Sequence, residues 1–201
     1  MPATVYEFAT VRLPRQPTSV FVETSFLTWA LAGNAPRCRD RRMTASAQFL
    51  DRLSAHAALE LWTTPMVFEE AVFGLLKNRM SVAARRAEIE WQGWRDLKKN
   101  HRAQFETFFG MYAQAIATEL HDFLNKHQVT VRLPRHPWRG SAEFGRRFLI
   151  YMRWLLGTYT IEPADALHVA CAQWGRAYAV VTNDLDIQLV DGLRVMAYRR
   201  R

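Results

Sequence analysis

The segment Tyr178-Ala-Val-Val-Thr182 is an unbroken apolar run of strand length. A strand with one wet face alternates apolar and polar residues. A run such as this one has to be covered on both faces, as in the middle of a parallel sheet. Parallel strands need long crossover connections, which helices supply. One is legible directly upstream, where Pro163 opens a helix that runs to about Trp174 and Gly175 ends it.

The remaining elements fit that frame. Ser19 to Val22 reads as a short buried strand, ended by Glu23-Thr24-Ser25, where a helix begins. Arg37 to Arg42 is a basic connection. Met43 to Ala57 has helical spacing, with Phe49, Leu50 and Leu53 on one face. Leu59 to Thr63 alternates and reads as a second strand. Thr64-Pro65 starts a helix whose apolar stripe is Val67, Phe68, Ala71, Val72 and Leu75. Ser81 to His127 is long, helical and charged, with a break near Asn100-His101 and an aromatic face at Phe105, Phe108, Phe109 and Tyr112. Val129 to Leu133 reads as a third strand, Pro134 to Gly140 as a loop, Ala142 to Leu156 as a helix and Leu193 to Ala197 as a final strand.

This order predicts an α/β fold: a three-layer α/β/α sandwich around a short, mostly parallel central sheet. A length of 201 residues suits one domain. Residues 1–18, with Pro2, Pro14 and Pro17, read as an N-terminal arm, and 19–201 as a single domain enlarged by helices at about 80–127.

Lys and Arg number 27 against 19 Asp and Glu, a net charge of +8, which points to a polyanionic partner such as nucleic acid. Cys38 and Cys171 lie far apart and in no zinc-binding spacing. The first residues lack a secretory pattern, and the most apolar later segment, Phe148 to Leu156, contains Arg153 and is too short to span a bilayer. A cytoplasmic protein with no membrane association is expected.

The acids fall at particular places on this scaffold. Glu23 ends the first strand, and Asp184 lies just past the strand Tyr178–Thr182. Ligand sites of open α/β sheets lie outside the carboxyl ends of strands. Asp165 sits in the first turn of its helix, and Glu70, beside Glu69, in the second turn of its own. Each has a plain structural role open to it, as a partner of the helix dipole, a turn former or a solvated surface acid. Jointly they can face one crevice, where their mutual repulsion calls for a hard cation, Mg²⁺ or Mn²⁺. Such an ion polarises a phosphodiester and activates water near neutral pH. Set these four acids aside and the rest of the chain is more basic still, as suits a binder of phosphate backbones.

Three motifs resemble the PIN-domain family, metal-dependent ribonucleases that include VapC-type toxins. Val20-Phe-Val-Glu-Thr-Ser25 is similar to the family's opening strand followed by an acid and Thr or Ser, with Glu23 where the family usually has Asp. Thr64-Pro-Met-Val-Phe-Glu-Glu-Ala-Val-Phe-Gly74 resembles its strand-then-helix motif, whose acid lies four residues before Gly, and that spacing selects Glu70 over Glu69. Asp165-Ala-Leu-His-Val-Ala-Cys-Ala172 followed by Val180-Val-Thr-Asn-Asp184 is the most specific of the three.

The resemblance implies a metal-dependent endoribonuclease, the toxin of a type II toxin–antitoxin pair, with an antitoxin protein and a homodimer as partners besides RNA. It implies that Glu23, Glu70, Asp165 and Asp184 are catalytic and hold Mg²⁺ or Mn²⁺, with Asp186 as a further ligand or supporting acid. Ser25 and Thr182 would orient ligands or the attacking water. His168 belongs to the packed side of its helix. Arg135, Arg139, Arg146 and Arg147 are the basic residues placed to grip RNA. The alternative is a catalytically weakened RNA-binding or assembly module, because Glu23 reaches differently from Asp.

Overall fold

The computed structural model describes residues 3–90, 93–134 and 142–198. The apolar run becomes β5 (Ala179–Val181), buried at every position. It lies between β2 (Thr18–Val22) and β6 (Arg194–Ala197) and runs parallel to both. Beyond β2 come β3 (Leu59–Thr63) and the short β4 (Thr130–Val131). Among the described residues, the sheet has six strands in the order β1-β6-β5-β2-β3-β4, and every pairing is parallel, a step beyond the mostly parallel sheet expected.

The outermost strand, β1 (Thr4–Glu7), comes from the segment read as an arm. It pairs along β6 from Thr4 beside Arg194 to Glu7 beside Ala197, and Phe8 follows it into the core.

Among the described residues, seven helices flank the sheet and complete the three-layer sandwich: α1 (Thr24–Gly33), α2 (Arg41–Ser54), α3 (Pro65–Arg86), α4 (Trp94–Asn100), α5 (Arg102–Lys126), α6 (Ala142–Thr158) and α7 (Pro163–Trp174). Their starts follow local chemistry. Asp40 caps α2, accepting from the Arg42 N–H at 2.8 Å and the Met43 N–H at 3.3 Å. Thr64 caps α3, with Pro65 in its first turn, and Pro163 opens α7 in the same way.

Two glycines permit close approach. A Cβ on Gly33 would lie 1.9 Å from the Met43 carbonyl oxygen, so α1 and α2 meet backbone to backbone. A Cβ on Gly175 would lie 2.3 Å from the ring of Trp62, a fully buried side chain of β3.

The main core lies around Val20, Phe21, Val22, Leu50, Trp62, Val181 and Val195. The helical enlargement has a smaller core of its own, built on Leu76, Met80, Ala84, Leu97 and Ile116. Phe105, Phe108 and Tyr112 pack against it with Trp94, which accounts for most of the aromatic face read in the sequence. The expected break is present: α4 ends at Asn100 and α5 begins at Arg102. Cys38 and Cys171 are both free, and burial pushes the Cys171 thiol up to about 12. Among the described residues, no helix is long and apolar enough to cross a membrane.

Candidate functional site

Because all six strands run the same way, the residues that follow them leave from one edge of the sheet. Glu23 follows β2 and its N–H bonds the Val181 carbonyl of β5 at 3.1 Å. Its side chain is buried, yet fully engaged. Oε1 accepts from the Ser25 N–H at 2.9 Å, which caps α1. Oε2 accepts from Ser25 Oγ at 2.5 Å and from Thr182 Oγ1 at 2.7 Å. These hydroxyls also bind the turn after β5: Ser25 Oγ accepts from the Asn183 N–H at 3.0 Å and Thr182 Oγ1 from the Asp184 N–H at 2.9 Å. Ser25 and Thr182 therefore fasten Glu23 and the Asp184 turn to each other.

Above this knot, one carboxylate oxygen from each of Asp165, Asp184 and Asp186 falls within 4.8 Å of the others. Asp165 comes from the first turn of α7, while Asp184 and Asp186 come from the turn after β5. Asp184 Oδ1 accepts from the Asp186 N–H at 2.8 Å, which sets the spacing of that pair. Burial pushes the Asp165 carboxyl up to about 6, and the charges of Asp184 and Glu23 push in the same direction. The donor set is oxygen only and carries surplus negative charge, so the residues fit a hard divalent cation such as Mg²⁺ or Mn²⁺.

Glu70 lies elsewhere than in this trio. Its Oε2 accepts from Thr24 Oγ1 at 2.6 Å and stands 2.7 Å from His168 Nε2. The bond to His168 is the main cause holding its carboxyl below the ordinary range, with Thr24 adding to it against the opposing effect of burial. His168 is buried, as its place on the packed side of α7 implies. The sequence reading missed its second role, as the partner of Glu70. The signal available was spacing: His168 follows Asp165 by three residues, so one helix face carries both. Thr24 was legible only as a neighbour of Glu23.

The basic residues divide. Arg146 and Arg147 lie on α6, which packs on α7, and both pair with Glu143, holding its carboxyl down at about 2. Arg135 and Arg139 lie outside the described residues.

Compared with models of known protein families and with curated proteins, the sequence matches none.

Proposed function

We propose that this chain is a divalent-metal-dependent endoribonuclease of the PIN type, which hydrolyses RNA phosphodiester bonds. The observation that carries this reading is the convergence of Asp165, Asp184 and Asp186 at the carboxyl edge of a parallel sheet, with Glu23 buried beneath them. The +8 charge of the whole chain supports a polyanionic substrate around that acidic spot.

Asp165, Asp184 and Asp186 would hold the ion. A bound Mg²⁺ or Mn²⁺ supplies a Lewis acid for the phosphate and lowers the pKa of an attacking water. Glu23 keeps the Asp184 turn in register through Ser25 and Thr182, and its charge makes the site more negative. The reaction is hydrolysis: a water oxygen bonds to phosphorus, a backbone P–O bond breaks, and no bond to the enzyme forms.

The test is cleavage of single-stranded RNA across a Mn²⁺ titration. Asp165→Asn and Asp184→Asn should each lower the rate by roughly 100-fold or more, and a chelator should abolish it. Wild-type rates in both variants, or full activity in chelator, would sink the reading. Single-stranded DNA in the same assay reads the substrate class. As the toxin of a pair, the chain would have a small antitoxin as partner, and co-expression with a neighbouring short reading frame should relieve growth arrest.

One observation favours a second reading. Glu23 and Glu70 are both engaged by protein donors, which leaves three carboxylates for a cation. A catalytically weakened RNA-binding module would hold RNA at every Mn²⁺ concentration and cut it at none.

A further inference from the structure

A second feature opens on the same edge of the sheet. A cleft of about 870 Å³ lies between the ends of β1 and β6 and one face of α2. Phe8 and Phe49, stacked with ring centroids 4.2 Å apart, lie at its base, and the half-buried Tyr198 closes one side. The α2 residues that line it, from Arg41 through Gln48 to Arg52, recur at helical spacing.

The charges in this cleft are unevenly engaged. Asp40 is taken up by the Arg42 guanidinium at 3.3 Å and by the N–H groups that it caps. Glu7 is partnered as well. Arg52 donates one N–H to the Val11 carbonyl at 3.0 Å and lies over the Phe49 ring at 4.9 Å, which leaves other guanidinium donors unused among the described residues. Arg41 is exposed and makes no hydrogen bond or ion pair among the described residues. Guanidinium groups bind phosphate, and an aromatic ring beside them offers a stacking surface for a base.

The cleft is tied to the acidic centre. Strands β1, β6 and β5 are neighbours, so β1 stands two strand spacings, about 10 Å, from β5. Helix α2 bridges the two features: Ser46 Oγ accepts from Asn183 Nδ2 at 3.1 Å, next to Asp184, while other residues of the same helix line the cleft. The stretch from Arg41 to Arg52 is about 16 Å long at helical rise, enough for several phosphates of an extended strand.

We propose that this cleft is a binding subsite for the single-stranded RNA that the acidic centre cuts, with backbone phosphates along α2 from Arg41 to Arg52 and a base against Tyr198. This rests on the ribonuclease reading. Arg41 and Arg52 bind substrate without touching the scissile bond.

The experiment measures binding of a short fluorescent single-stranded RNA to the full chain in chelator, over a range of salt. Arg41→Glu should raise Kd about tenfold and lower the salt slope by roughly 0.7 to 1. Gln48→Glu, at an exposed position with no charge to lose, should also weaken binding and carries the test if Arg41→Glu fails to fold. Arg86→Glu, at the far end of α3, controls for net charge. Wild-type binding in both cleft variants, or an equal loss in Arg86→Glu, overturns the subsite. Cleavage assays separate the two ideas. Metal-dependent cutting with unaltered binding in the cleft variants removes the subsite and keeps the nuclease. Weakened binding in those variants, with no cutting at any metal concentration, keeps the subsite as an RNA site and removes the nuclease.

Discussion

Oε2 of Glu70 stands 2.7 Å from Nε2 of His168, so an acid of α3 and a ring of α7 meet on the sheet's carboxyl side. The imidazole side chain is 2% exposed and the carboxylate 44%, which makes the pair one-sided: the ring is committed and the acid is reachable by water. Replacing His168 by Leu should lower stability by about 1–2 kcal/mol, the range for a lost bond to a charged group discounted for the exposed partner. His168→Gln, which keeps a donor, should recover part of the loss. Thermal melting reads both, and a Leu variant that melts with the wild type shows the pair to be inert. The sign with pH follows from the lowered Glu70 carboxyl. Its contribution is present above the ordinary carboxylate range and is lost as pH falls through it, so wild type and Glu70→Gln should converge on acidification.

Asp165 titrates in the opposite sense. Its carboxyl is raised to about 6, so the folded chain holds a proton that the unfolded chain has released. Stability should therefore fall as pH rises from about 4 to about 6 and stay level above. In chelator at pH 7, Asp165→Asn should melt about 3–6 °C above wild type, and the gain should vanish near pH 4. Added Mn²⁺ should raise the melting temperature of wild type and leave the variant nearly unmoved, because ligand binding stabilises only the state that binds it. A variant that melts with or below wild type at pH 7 would show that burial and like charge do not raise the Asp165 carboxyl.

Glu23 separates charge from shape. Glu23→Gln removes one of the charges that raise Asp165 and keeps one acceptor oxygen, which can serve the Ser25 and Thr182 hydroxyls while the Ser25 N–H loses its acceptor. The Asp165 titration, followed by carboxyl NMR, should move down toward the ordinary range. Glu23→Ala should in addition strand the Ser25 and Thr182 hydroxyls, at about 2–3 kcal/mol. An unmoved Asp165 in the Gln variant would show that burial and Asp184 set its value without Glu23.

Gly33 tests the packing beneath the cleft. A methyl there meets the Met43 carbonyl oxygen at 1.9 Å, and neither backbone can yield cheaply. Gly33→Ala should cost about 2–3 kcal/mol or more in denaturant unfolding. Gly74→Ala, where nothing lies within 4 Å of the added carbon, should be neutral or mildly stabilising in the same assay.

The parts legible in the sequence were those specified locally. Pro163 and Gly175 bound α7, and the apolar run around Val180 announced a central strand, because each signal lies inside the element it describes. Strand β1 was hidden: four residues long, prolines nearby, and paired only with β6, almost the whole chain away. Asp165 and Asp184 were legible because one opens α7 and the other follows β5, whereas Asp186 was expected only as a further ligand or supporting acid and Glu23 and Glu70, expected beside them, are not in the trio. That Glu70 meets His168 depends on how the sheet sets the start of α3 beside the start of α7, which neither segment encodes alone. The basic stripe of α2 reads as an ordinary wet helix face until β1 and Tyr198 are set opposite it.

The strand order also dictates when this chain can become itself. On a ribosome, β2 emerges early but must wait for β5, some 160 residues later, and β1 must wait longer still for β6. Only the β2–β3 pairing is available early. The acidic centre straddles the late seam, since Glu23 is made long before Asp184. A nascent chain therefore carries no assembled centre until Asp184 has been made. Topology keeps the acids apart until both sides of that seam exist.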